Sequence, residues 1–293
     1  MYSPIDSQIG EEISKKIATL EERLKADVIF YYGSIGSGLS NEFREMINEL
    51  KENDKGYKKL CIVLTTPGGS AMEVQRCVNV VRNFYDEIDF IIPDYAYSAG
   101  TIFCMSGDNI YMNYYSVLGP IDPQVQNKAG LWVAALGYLD KVNEMIDKSK
   151  NGNLSPAEFI LFRDMDLGEL REYEQAQEVT IDLLKTFLVN YKFKSWITHR
   201  TDPQKLGEPV TPEEKEQRAS EIAKKLSDNN RWKSHSRPIN IETLKKELKL
   251  DIIDFSADKN LDSDILSHYS YIMDYVRKRG ASSCFNTRRR TIV

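Results

Sequence analysis

Apolar positions in the first hundred residues fall into two patterns that take turns. From Glu11 to Leu24, Ile13, Ile17, Leu20 and Leu24 recur at helical spacing among charges, which predicts an amphipathic helix. Val28 to Tyr32 is a continuous apolar run and predicts a buried strand. Phe43, Ile47 and Leu50 predict a helix from Glu42 to Lys51, with Ser40 or Asn41 as its cap. Leu60-Cys61-Ile62-Val63-Leu64 is a second strand run. The stretch from Ser70 to about Glu87 places Met72, Val74, Cys77, Val78, Val81 and Phe84 near helical spacing, and Phe90-Ile91-Ile92-Pro93 is a third run. Strands alternating with helices predict an α/β fold of repeated β-α units.

Further along, Ile102-Phe103-Cys104-Met105 reads as a buried helix, and Ile110-Tyr111-Met112 and Ser116-Val117-Leu118-Gly119 as short strands. Leu131 to Ile146 has a helical pattern. Ser155-Pro156-Ala157-Glu158 combines a capping serine, a proline at the first helical position and a glutamate at the third, which predicts a helix start. Helical pattern continues through Trp196 with a break near Asp166-Leu167-Gly168. Asp202 to Thr211 is a polar connector, and Pro212 opens a helix to Leu226. The organisation expected is an N-terminal helical segment (1–24), a central α/β domain (25–200), a C-terminal helical extension (201–281) and a loose tail (282–293). Arg288-Arg289-Arg290 in that tail reads as a solvated basic end.

Composition narrows the classes. The chain has 293 residues, 41% hydrophobic and 28% charged, enough for a sizeable core. A formal net charge of −5 argues against nucleic acid as a partner. No run of eighteen apolar residues exists, so no membrane span is expected, and the N-terminus lacks a signal-peptide layout. Cys61, Cys77 and Cys104 sit in apolar runs, and the four cysteines show no paired spacing. Reduced thiols and a cytoplasmic location are expected.

Candidate chemistry centres on two glycine-containing segments, Thr66-Pro67-Gly68-Gly69-Ser70 and Tyr97-Ser98-Ala99-Gly100-Thr101. The first leaves a strand through two glycines, which turns the backbone sharply and bares amide N–H groups able to hold a developing negative charge. The second offers a serine followed by alanine and glycine after the next strand. Bare amides beside such a serine suit acyl transfer. Gly33-Ser34-Ile35-Gly36-Ser37-Gly38 invites a phosphate reading but lacks the Gly-Lys-Ser/Thr ending, and a flexible turn is expected there.

The ordered set Val28–Gly33, Cys61–Leu64, Thr66–Gly69, Tyr97–Thr101 and Leu118-Gly119-Pro120-Ile121-Asp122-Pro123-Gln124 resembles the Clp-fold serine peptidases, above all the serine dehydrogenase proteinase branch. The resemblance covers roughly residues 25 to 200. It implies a Clp/crotonase-like α/β fold with flanking helices and a C-terminal extension. It also implies serine peptidase activity through an acyl-enzyme on Ser98, an oxyanion hole from the Gly69 and Ala99 amides, and no metal or organic cofactor. The substrate would be a peptide or unfolded protein, and the enzyme a homo-oligomer.

The base is the open question. No histidine occurs from residue 1 to 198, so the family's usual position near Gly119–Pro123 is empty of one. A related branch uses a lysine on a later helix. Of Lys128, Lys141, Lys148 and Lys150, Lys141 matches best: Tyr138-Leu139-Asp140-Lys141-Val142-Asn143 resembles the lysine context of the archaeal lysine-dyad enzymes, and desolvation among Ala134, Leu139, Val142 and Met145 would free its lone pair. His235, within Arg231–Arg237, is the alternative base. Asp122 either forms a turn or orients a base, and the turn is the preferred reading. Two rival functions stand beside the Ser98–Lys141 dyad: a crotonase-like acyl-CoA enzyme and an inactive scaffold.

Overall fold

The structure is a computed structural model, and it describes residues 4–126, 130, 132–163, 165–200 and 203–293. Lys128 lies outside the described residues. Twelve strands and eleven α-helices succeed one another among those described. The first half runs α1 (Pro4–Leu24), β1 (Asp27–Tyr32), α2 (Leu39–Glu52), β2 (Lys59–Thr65), α3 (Ala71–Phe84), β3 (Glu87–Ile91), β4 (Tyr95–Ala96), α4 (Ala99–Cys104), β5 (Asn109–Met112), β6 (Val117–Leu118), β7 (Gln124–Gln126) and β8 (Trp132–Ala134). Three helices follow, α5 (Ala135–Lys150), α6 (Pro156–Arg163) and α7 (Leu167–Phe187), the last running into a π-helical turn over Leu188–Lys192. The remainder is α8 (Pro212–Ser227), α9 (Asn229–Trp232), β9 (Ile239–Asn240), α10 (Ile241–Lys246), β10 (Ile253–Asp254), α11 (Lys259–Arg279), β11 (Cys284–Asn286) and β12 (Thr291–Ile292).

A seven-stranded sheet in the order β10-β5-β3-β2-β1-β11-β12 forms the centre. Its five strands from β10 to β1 are parallel, as repeated β-α units require. Both faces are covered, which is why β1 and β2 read as unbroken apolar runs rather than alternating ones. Ile29, Tyr31, Leu60, Ile62 and Leu64 point into a core shared with α2, α3, α4, α7 and α8. Their neighbours Val28, Phe30, Cys61 and Val63 point the other way, onto α1 and α11. Phe103 of α4 packs edge-on against Phe43 and Phe90. Each such fully buried aromatic contributes roughly 2–3 kcal/mol of transfer free energy.

The C-terminal quarter departs from expectation. Residues 203–281 do not form an appended helical unit: β10 extends the main sheet beside β5, and β9 joins a second sheet in the order β4-β6-β9. The tail is not loose. β11 pairs antiparallel with β1, matching Tyr32 with Cys284 and Phe30 with Asn286. Nor is the arginine run simply solvated. Arg288 is 9% exposed and ion-paired with Glu21 and Asp27, both fully buried, and it donates to the Leu50 and Asn53 carbonyls. Sequence pattern misses this because the partners lie 267 residues apart in the first pair.

His268 of α11 is fully buried against Phe30, with Nε2 2.8 Å from Asn286 Oδ1. Burial, opposed by that hydrogen bond and helped by the Lys16 charge, pushes its imidazole down to about 4 from 6.5. A depressed folded-state value means that the unfolded chain takes up the proton first. The stability His268 confers is whole above pH 6.5 and drains away as pH falls toward 4. Between pH 7.5 and 5 this amounts to about 2 kcal/mol. Denaturant titrations of wild type and His268→Phe at the two pH values should differ by that amount, and parallel losses would remove His268 as the cause.

Candidate active site

Ser98 sits in the turn between β4 and α4, with φ 54° and ψ −119°. Among non-glycine residues this is a costly conformation, on the order of 1–3 kcal/mol. Such a strained strand-to-helix turn lifts a side chain out of the sheet and presents its hydroxyl, as nucleophile elbows do. Ser98 is partly exposed, while Ala99 behind it is buried. Thr66 locks the approach to the turn, donating its N–H to the Tyr95 carbonyl and accepting at its own carbonyl from the Tyr97 N–H.

The Pro-Gly-Gly segment lies directly against this turn. Gly68 has φ 104°, and a Cβ there would come within 2.8 Å of Ser98 Cβ and 3.3 Å of the Ala99 nitrogen. Gly69 has φ 145°, and a Cβ would meet the Ile35 carbonyl oxygen at 2.3 Å. Neither position admits a side chain. Ile35 bridges Gly69 in parallel: its N–H donates to the Gly68 carbonyl, and its carbonyl accepts from Ser70 N–H, each at 2.8 Å. In that pattern the flanking residues face Ile35 and Gly69 turns its own N–H the other way. Among the described residues, neither the Gly69 nor the Ala99 amide donates to a protein acceptor.

The glycine-rich loop 33–38 is hydrogen-bonded to its surroundings through Gly33, Ser34 and Ile35. Gly33 N–H donates to the Thr65 carbonyl, the Tyr31 hydroxyl donates to the Ser34 carbonyl, and Glu73 accepts from the Ser40 N–H at 2.8 Å. It braces the Pro-Gly-Gly segment from behind.

The structure separates the candidate bases. Lys141 lies on the solvent side of α5, its side chain 51% exposed, with Nζ 2.8 Å from Glu144 Oε2. A lysine base needs a desolvated setting, and this exposed, ion-paired position does not provide one. Of the apolar neighbours that suggested desolvation, Met145 is buried, whereas Leu139 and Val142 line an open groove.

His235 is placed quite differently. β6 pairs antiparallel with β9, Leu118 opposite Ile239. Four residues onward from Leu118 is Asp122, and four residues back from Ile239 is His235, so the register carries the two toward each other. His235 Nδ1 stands 3.0 Å from Asp122 Oδ1, with side-chain exposures of 15% and 2%. Asp122 thus faces an imidazole and is more than a turn former. The other side of β6 pairs with β4, Ala96 opposite Leu118, which leads straight into Ser98. One small sheet thus positions both the serine turn and the His–Asp pair. Sequence reasoning named both residues but had no signal to join them, because they are 113 residues apart.

The family model described as ClpP-like SDH-type serine proteinase matches residues 43–199, more than half of the chain and a span that includes Gly69, Ser98, Ala99 and Asp122. Two uncharacterized proteins of Methanocaldococcus jannaschii are similar. One is 26% identical over 76% of this chain and 62% of its own length, the other 25% identical over 65% and 51%. The chain thus spans between half and two thirds of these relatives. Among solved structures, the 1510-N membrane-bound stomatin-specific protease is similar at a TM-score of 0.44 and 13% identity, over 77% of this chain and 76% of that one. The ClpP protease catalytic domain from Plasmodium falciparum gives 0.28 and 18% over 36% and 59%. With its central parallel sheet and its Pro-Gly-Gly and Ser-Ala-Gly turns in order, the chain belongs to the ClpP-like SDH-type serine proteinase family.

Proposed function

We propose that this chain hydrolyses peptide bonds with Ser98 as nucleophile, His235 as general base and Asp122 as the group that orients the base. The observation that carries the reading is the His235–Asp122 contact on the same small sheet as the strained Ser98 turn. A carboxylate only accepts, so Nδ1 carries the hydrogen toward Asp122 and Nε2 is left as the proton acceptor. Ser98 Oγ attacks the scissile carbonyl carbon as its proton passes to His235 Nε2. The carbonyl oxygen becomes an oxyanion held by the Gly69 and Ala99 amides. Collapse breaks the C–N bond, and the imidazolium returns the proton to the leaving amine. Water then repeats the sequence on the acyl-enzyme.

The strain kept at Ser98, with φ 54° and ψ −119°, supports this over a decayed scaffold, since backbone strain of that kind clusters at functional sites. The test is a fluorophosphonate probe read by intact mass. Wild type should gain one phosphonyl adduct and Ser98→Ala none. Equal labelling of the two would end the reading.

Peptide or unfolded polypeptide segments are the substrate this reading carries, with a cytoplasmic location and no organic cofactor. Among the described residues no helix is long and apolar enough to cross a membrane. An assembly of identical chains belongs to the same proposal. Helix α6 buries none of its residues and exposes Phe159, Ile160 and Leu161, apolar surface that suits contact between copies. Light scattering should give a mass well above 33.7 kDa. A monomer would remove the assembly and leave the chemistry standing.

A further inference from the structure

We infer that the Thr101 hydroxyl is a positioning group that fixes the serine turn to the loop carrying the base. The inference rests on the roles given above to Ser98, Asp122 and His235. The β4–β6 ladder ends at the pair Ala96 and Leu118, because the turn at Ser98 takes the backbone away from β6. Beyond that pair, Gly119 needs a partner that the strand no longer supplies.

Thr101, fully buried in α4, provides it. Its Oγ1 accepts from the Gly119 N–H at 3.0 Å and lies 2.9 Å from both the Gly119 and Ala96 carbonyl oxygens. The single hydroxyl hydrogen is shared toward those two carbonyls, so one oxygen ties the end of β4, the first turn of α4 and the start of loop 119–122. Contact is close on the opposite side as well. A Cβ at Gly119 would come within 2.5 Å of Tyr97 Cδ1, so the loop is seated directly on the residue preceding Ser98. Ser98 lies three residues before Thr101, and Asp122 lies three residues after Gly119. Any slip at the Thr101–Gly119 junction therefore changes the separation between the nucleophile and the His235–Asp122 pair. A misplacement of about 1 Å between reacting groups is enough to cost on the order of 10²-fold in rate.

The test measures inactivation of the full chain by a fluorophosphonate, giving the maximal inactivation rate constant and the half-saturating probe concentration separately. Thr101→Val keeps the shape and removes the hydroxyl. Thr101→Ser keeps the hydroxyl and removes the methyl. The valine variant should lose about 10²-fold in the rate constant with little change in half-saturation, as expected when alignment and not binding is disturbed. The serine variant should recover most of the loss. A folded valine variant that reacts at the wild-type rate would overturn the proposal, and so would valine and serine variants that are equally slow, since packing of the methyl would then be the cause. If Thr101→Val does not fold, Thr101→Ala takes its place, with slow reaction relative to Thr101→Ser supporting the proposal and wild-type reaction overturning it. Wild type that fails to react, or that reacts as fast as His235→Ala, would instead sink the reading of the site itself and this proposal with it.

Discussion

His235→Ala is expected to lower peptide hydrolysis by about 10⁴-fold or more, close to the loss from Ser98→Ala, because a nucleophile and its base act as a unit. The double variant should be scarcely worse than either single one. Lys141→Ala should be nearly silent in both activity and stability. An exposed pair such as Lys141–Glu144 contributes little, because water screens the charges and holding two long side chains together costs entropy. Rates of cleavage of a fluorogenic peptide mixture by the four proteins decide between the bases. If Lys141→Ala is dead while His235→Ala retains its rate, the dyad expected from sequence is restored. His235 would then be a histidine that merely pairs with a buried aspartate.

The second large effect concerns stability. Arg288→Ala should cost about 3 kcal/mol at neutral pH, the lower end of what is seen when one partner of a buried ion pair is removed. Glu21 and Asp27 are both fully buried, and Arg288 is their shared cation. Lys55, 3.3 Å from Glu21, and Lys51, 3.4 Å from Asp27, remain as partial substitutes, which is why the upper end is not expected. Burial, set against the Arg288 hydrogen bond and charge, already raises the Glu21 carboxyl above the usual carboxylate range. Without Arg288 it should rise further, and protonation would relieve part of the penalty. The gap between variant and wild type in denaturant titrations should therefore narrow as pH is lowered. A variant as stable as wild type at pH 7 would return residues 288–290 to the solvated role that their sequence suggests.

What the sequence made legible follows the length of each signal. β1 and β2 are long enough for apolar runs to speak, whereas β3 starts at Glu87 and shares only Phe90 and Ile91 with the expected run; α2 and α3 show their buried faces through Phe43, Ile47, Val74 and Val78. Local chemistry was legible too. Ser155 and Glu158 satisfy each other's backbone N–H groups as the capping pattern predicts. Thr211 with Pro212 and Glu214 opens α8 in the same way. The cap expected at Ser40 or Asn41 is not made, because α2 begins at Leu39 after Gly38 with no side-chain cap. The strands β4, β6 and β9 have two residues each, too few for any periodicity, yet their register is what brings Asp122 to His235. The burial expected for Lys141 failed for a related reason. Apolar neighbours at helical spacing show that a helix has a buried face, but not that a given lysine lies on it. Glu21 looked like part of the charged face of α1, and its burial rests on a guanidinium from the far end of the sequence together with Lys55 and the Val28 N–H.

The pairing of β1 with β11 has a consequence for how the protein is made. During synthesis β1 acquires β2 early, but its other edge stays open until residues 284–286 emerge. That edge, Val28 to Tyr32, is apolar on both faces, the kind of strand that adds to another chain when left uncovered. So distant a closure also raises contact order and slows the final step of folding. The newly made polypeptide therefore passes through a long interval with an adhesive sheet edge, during which a chaperone that masks it would raise the yield of native protein.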